Sequence, residues 1–149
     1  MMATREELAE AERGAWAEFM ALVGRVPRER RDVREVVPGW SVKDLVWHNA
    51  GWMLFSAEAL AKLDGKPFVD PFSGHDDAHF AAENELQLEA GRRLSWDEVV
   101  DQAERQRART HELWAGLGAV SDEAAAFFAE ESTVHYEEHA EEIRRFLSP

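Results

Sequence analysis

The chain has 149 residues, enough for one domain with a real core. Hydrophobic residues make up 45% and charged residues 32%, a globular balance that excludes a disordered polymer. The formal net charge is -13, from 17 basic and 30 acidic residues. Such a surface repels phosphate backbones and anionic lipid, so neither nucleic acid nor membrane is an expected partner.

There is no cysteine, which excludes disulfides, thiolate metal sites and a cysteine nucleophile. Any thiol chemistry must use a cosubstrate. No apolar run suited to a signal peptide or a membrane span follows the N-terminus, so a cytoplasmic location is expected.

A first helix is expected from Thr4, where Thr4-Arg5-Glu6-Glu7 fits a capping box. Leu8, Ala11, Ala15, Phe19, Leu22 and Val26 then recur at helical spacing until Pro27. A second helix starts at Ser41, again with a box-like Ser41-Val42-Lys43-Asp44. Its stripe reads Leu45, His48, Trp52, Phe55, Ala59 and Leu63, and Gly65 and Pro67 stop it. Lys66 to Gly74 reads as a long crossover loop. A third, weakly periodic helix is expected from about Asp76 to Ala90. A fourth follows the box Ser95-Trp96-Asp97-Glu98. Ser121 to Phe128 reads as a short helical or irregular connector. The last helix then begins near Ser132 or Thr133 with the stripe His135, His139, Ile143 and Phe146. No segment alternates like a strand. The expected fold is all-α: a four-helix bundle, one domain over 1–149, with a long connection between the second and third helices.

His135 and His139 are four residues apart, so they project from one helix face and can share a metal ion. HxxxH spacing alone is weak evidence. Both, however, lie on an apolar stripe, and His48 lies on the stripe of the second helix. A lone core histidine is ordinarily satisfied by a hydroxyl or carboxylate. Three that can converge favour a metal, which offers one partner to all of them. Trp52, Phe55, His79 and Asn49 are the candidate pocket residues around it. His75 and His79 form a rival pair at a loop-to-helix junction, read as a solvated helix start. His111 is expected at the periphery. Tyr136 is expected to point away from the metal, and Glu138 and Glu142 to solvate the helix or orient ligands.

The stretch Pro38-Gly39-Trp40-Ser41-Val42-Lys43-Asp44-Leu45-Val46-Trp47-His48 resembles the signature of the DinB/YfiT-like superfamily. His135 to Ile143 resembles that superfamily's closing H-x-x-x-H-x-x-x-I helix. The superfamily includes the N-terminal domain of mycothiol-dependent maleylpyruvate isomerase and the ClbS/DfsB proteins. The resemblance implies a bundle that holds a metal by one histidine of the second helix and two of the last, here His48, His135 and His139. It also implies a homodimer and a low-molecular-weight thiol cosubstrate. The isomerase carries a further C-terminal domain that is lacking here, so its particular activity is not expected.

Three imidazoles leave a coordination position open, and they suit Zn²⁺ or Ni²⁺. The expected function is that of a metal-dependent enzyme acting on a small molecule, either a thiol-dependent S-transferase or a hydrolase. The alternative is a non-catalytic bundle with a metal site that binds a small molecule for stress protection.

Overall fold

The structure, a computed structural model, describes residues 3–149. Its helices begin where short polar side chains cap free backbone N–H groups. Thr4 starts α1 (Arg5–Gly24), Ser41 starts α2 (Val42–Lys62) and Ser95 starts α4 (Trp96–Ala115), each with a complete capping box. Asp76 caps α3 (Asp77–Arg92) by accepting from the His79 N–H at 2.8 Å. Ser121 caps α5 (Asp122–Ala129). No strand occurs among the described residues, and no helix among them is long and apolar enough to cross a membrane.

The connector expected between Ser121 and Phe128 is helical, but it is not separate from the last helix. It continues without a break through one π turn (Glu130–Val134) into α6 (His135–Leu147). The Ser132 hydroxyl donates to the Phe128 carbonyl at 2.6 Å inside this turn. π turns inside α-helices recur at functional sites, because the wider turn re-aims the side chains on either side. Here it separates Glu131 from His135.

The bundle consists of α1, α2, α4 and the long last helix. α2 packs along α4, and α1 packs along α6. α3 lies outside, against α2. Phe19, Leu45, Met53, Val99, Trp114, Phe128, Tyr136 and Ile143 fill the centre. Trp114 and Phe128 stack at 3.9 Å between centroids, tying α4 to α5.

The first helix buries most of its expected stripe, Ala15, Phe19, Leu22 and Val26, whereas α2 is rotated from the face its apolar residues suggest. On α1, Glu12 and Trp16 are buried and Ala11 is exposed. Glu12 is fully enclosed because it gathers donors from three other side chains: Arg107 and His111 of α4, and the Tyr136 hydroxyl of α6. His111 is thus a member of a buried cluster and not peripheral. Burial acts to raise the Glu12 pKa, but the bonds from His111 and Arg107 outweigh it and hold the carboxyl below its usual range. On α2 the buried face runs through Leu45, Asn49, Met53, Ser56 and Leu60. His48 and Trp52 lie along its edge, facing α3 and the crossover loop, and Phe55 is 45% exposed.

Candidate metal centre

His48 and His135 approach across the junction of α2 and α6, with 3.3 Å between their Nε2 atoms. His139, one turn further along α6, brings its Nε2 to 3.0 Å from that of His135. The candidate ligand atoms of all three histidines lie within 4.8 Å of one another.

The opposite ring nitrogens explain why these atoms face inward. His48 Nδ1 donates to Gln87 Oε1 at 3.0 Å, and the same amide donates back to the His48 carbonyl at 3.2 Å. His139 Nδ1 donates to Glu142 Oε1 at 2.9 Å. A ring that donates through Nδ1 keeps a lone pair on Nε2. His135 Nδ1 is buried without a well-formed hydrogen bond; the Glu131 backbone lies beside it. Trp40 closes the other side, edge-on to His48 at 4.8 Å and stacked on His139 at 6.5 Å.

Burial, and then the neighbouring rings of His135 and His139, push the His48 pKa well below the usual imidazole value. Burial, and then His139, lower His135 to about 3. Both rings are therefore neutral near pH 7. One proton can bridge a single pair of lone pairs, whereas a cation accepts all three. The donor set therefore fits a divalent transition metal better than it fits any arrangement of protons. Gln87 and Glu142 hold the ligands as outer partners do around metal-bound histidines.

A cavity of about 200 Å³ opens over His48 and His135. Trp52, Phe72, Phe80, Asn84 and Glu131 complete its walls. The Trp52 indole N–H donates to Asn84 Oδ1 at 2.6 Å, which joins α2 to α3 across the cavity. Burial raises the Glu131 carboxyl to about 7, with the charges of Glu130, Asp70 and Glu138 adding to the rise.

Of the four pocket residues expected from sequence, only Trp52 lines this cavity. Phe55 lines the adjoining groove, because the buried face of α2 is rotated away from it. Asn49 is fully buried in the bundle and reaches no cavity mouth. His79 is exposed; its ring lies 4.0 Å from that of His75 and its Nε2 3.2 Å from Glu83. That pair stays apart from the three convergent histidines. Tyr136 turns away from the centre and donates to Glu12 Oε2 at 3.0 Å.

Sequence reasoning missed Phe72, Phe80, Asn84, Gln87 and Glu131. Glu131 carried a signal: it extends the His135-His139 spacing back by four residues. Gln87 carried none, since the weak periodicity of α3 does not say which face meets α2.

Two crystal structures share this architecture. One, of an uncharacterised protein from Escherichia coli UTI89, superposes with a TM-score of 0.74 at 16% identity, covering 97% of this chain and 93% of that one. The other, of an uncharacterised protein from Clostridium difficile 630, gives 0.70 at 13% identity, covering 98% and 96%. At these identities the likeness concerns the fold alone. No curated protein matches the sequence. A family model described as the mycothiol maleylpyruvate isomerase N-terminal domain matches residues 12–142, a span that holds α2, α3, α4 and all three convergent histidines. The chain therefore belongs to the mycothiol maleylpyruvate isomerase N-terminal domain family, within the DinB-like fold.

Proposed function

We propose that this protein is a metal-dependent, thiol-using S-transferase acting on a small electrophile. The observation that carries the proposal is the convergence of three imidazole lone pairs beside an aromatic cavity. His48, His135 and His139 would hold the ion, Zn²⁺ or Ni²⁺. Bound there, it would supply Lewis acidity that lowers the pKa of a thiol or water beside it. The thiol must come from outside, since the chain has no cysteine. The family's link to mycothiol supports a low-molecular-weight thiol.

The chain's own residues do the rest. Gln87 and Glu142 keep two of the imidazoles aimed, with Nε2 turned inward. Trp52, Phe72 and Phe80 exclude water and grip the apolar part of the electrophile. Glu131, on the wall of the same cavity, takes the proton that the thiol sheds.

Elemental analysis of untagged protein, paired with a thiol-consumption assay over an electrophile panel, tests this. The expected result is a stoichiometric transition metal that is lost in His135→Ala, and turnover that needs both thiol and metal. The proposal fails if the protein carries no metal and His48→Ala changes neither metal content nor thermal stability. Metal without thiol-dependent turnover favours a non-catalytic binding bundle instead.

A further inference from the structure

The cavity beside the histidines is aromatic, and it contains no cation. Trp52, Phe72 and Phe80 meet edge to face around it, with centroids 5.5, 6.4 and 5.6 Å apart. Glu131 is its one acidic residue. Two grooves share walls with it. The first, beyond Trp52, carries Glu83. The second, beyond Phe72 and Glu131, carries Asp70, Glu123 and Glu130. No lysine or arginine lines the cavity or either groove. Nearby arginines are engaged elsewhere, Arg92 with Asp44 and Glu85, and Arg107 with Glu12 and Glu104.

We infer that the substrate of this site is a neutral or cationic molecule with an apolar or aromatic body, and that anionic substrates, dicarboxylates among them, are rejected. The inference rests on the S-transferase reading for what the bound molecule undergoes. It rests on the lining residues for which molecule enters. An anion leaving water for this cavity gives up its hydration and meets no positive side chain. It also meets aromatic rings, whose negative faces attract cations and repel anions. Outside, it must cross a surface carrying a net charge of -13. The charge of a bound ion is met in part by the thiol once it has lost its proton. A cation or a neutral aromatic faces none of these costs.

The test is a ligand-observed NMR titration of the metal-stripped protein, in which the lining residues alone act on the probe, using three benzyl probes. Benzyltrimethylammonium is cationic, benzyl alcohol is neutral, and benzylsulfonate is an anion that coordinates metals weakly. The cation and the alcohol are expected to bind at least about tenfold more tightly than the sulfonate. Glu131→Gln is expected to bring the cation down to the affinity of the alcohol and to leave the alcohol unchanged. The inference is overturned if the sulfonate binds wild-type protein as tightly as the alcohol, or if no probe binds. The readout needs no turnover, so the two ideas fail separately. Preserved probe preference without thiol-dependent turnover sinks the S-transferase proposal alone. Turnover of anionic electrophiles in preference to neutral ones sinks this inference alone.

Discussion

Replacing Gly51 by alanine should weaken metal binding without touching a ligand. Gly51 sits three residues after His48 on α2, and a Cβ built there overlaps the amide nitrogen of Gln87. The amide is the free end of a flexible side chain, so it can move away. Moving breaks both of its bonds to His48, the 3.0 Å contact at Nδ1 and the 3.2 Å contact at the carbonyl. The metal-free fold should scarcely notice. Alanine gains about 1 kcal/mol of helix propensity over glycine, and each lost hydrogen bond costs about 0.5–1.5 kcal/mol. His48, however, loses the acceptor that fixes its tautomer and aim, which typically costs about 10–100-fold in metal affinity. Competitive titration against a chromophoric chelator measures this, with thermal unfolding of the metal-free protein alongside. Gln87→Ala should lose a similar amount, and the double variant should lose no more than either single one. Gly14→Ala is the control: nothing lies within 4 Å of the Cβ it adds, so it should leave affinity unchanged. Wild-type affinity in both Gly51→Ala and Gln87→Ala would refute the reasoning.

Other outcomes follow from the buried carboxylates. Glu12→Gln leaves the Arg107 guanidinium beside a neutral amide, and should destabilise the fold by about 3 kcal/mol in urea denaturation. Tyr136→Phe, which removes one donor to Glu12, should cost only about 1 kcal/mol. The depressed Glu12 pKa adds stability that is present above the unfolded value and lost as pH falls through the folded one, so Glu12→Gln should also flatten acid unfolding. Glu131 behaves oppositely. Its raised pKa of about 7 favours the folded state below the unfolded carboxyl value, and that advantage is lost as pH rises through 7. Metal-stripped Glu131→Gln should therefore be more stable than wild type at pH 8, by about 1–2 kcal/mol after allowing for partial solvent screening. An unchanged difference between pH 5 and pH 8 would contradict that assignment.

The helix starts and the ligand trio were legible in the chain because both depend on neighbours a few residues away. Thr4, Ser41 and Ser95 cap the N–H groups three residues on, as their boxes announce. His135 and His139 share a face by helical spacing alone, and the signature from Pro38 to His48 marks the third histidine. The cavity walls were not legible in this way. Phe55 and Trp52 occupy the same apolar stripe, yet only Trp52 reaches the cavity. Phe72 arrives on a crossover loop whose path no periodicity describes.

Sequence by itself thus determined where helices begin, which residues they carry, and which three imidazoles can meet. Tertiary structure decided how far each helix turns about its axis. That rotation follows from how side chains of separate helices fit together, including a carboxylate at Glu12 drawn inward by three distant donors. No local pattern encodes such contacts. The π turn ahead of His135 belongs to the same class: it adds a residue to one turn of the long last helix, and so shifts the faces of α5 and α6 relative to one another.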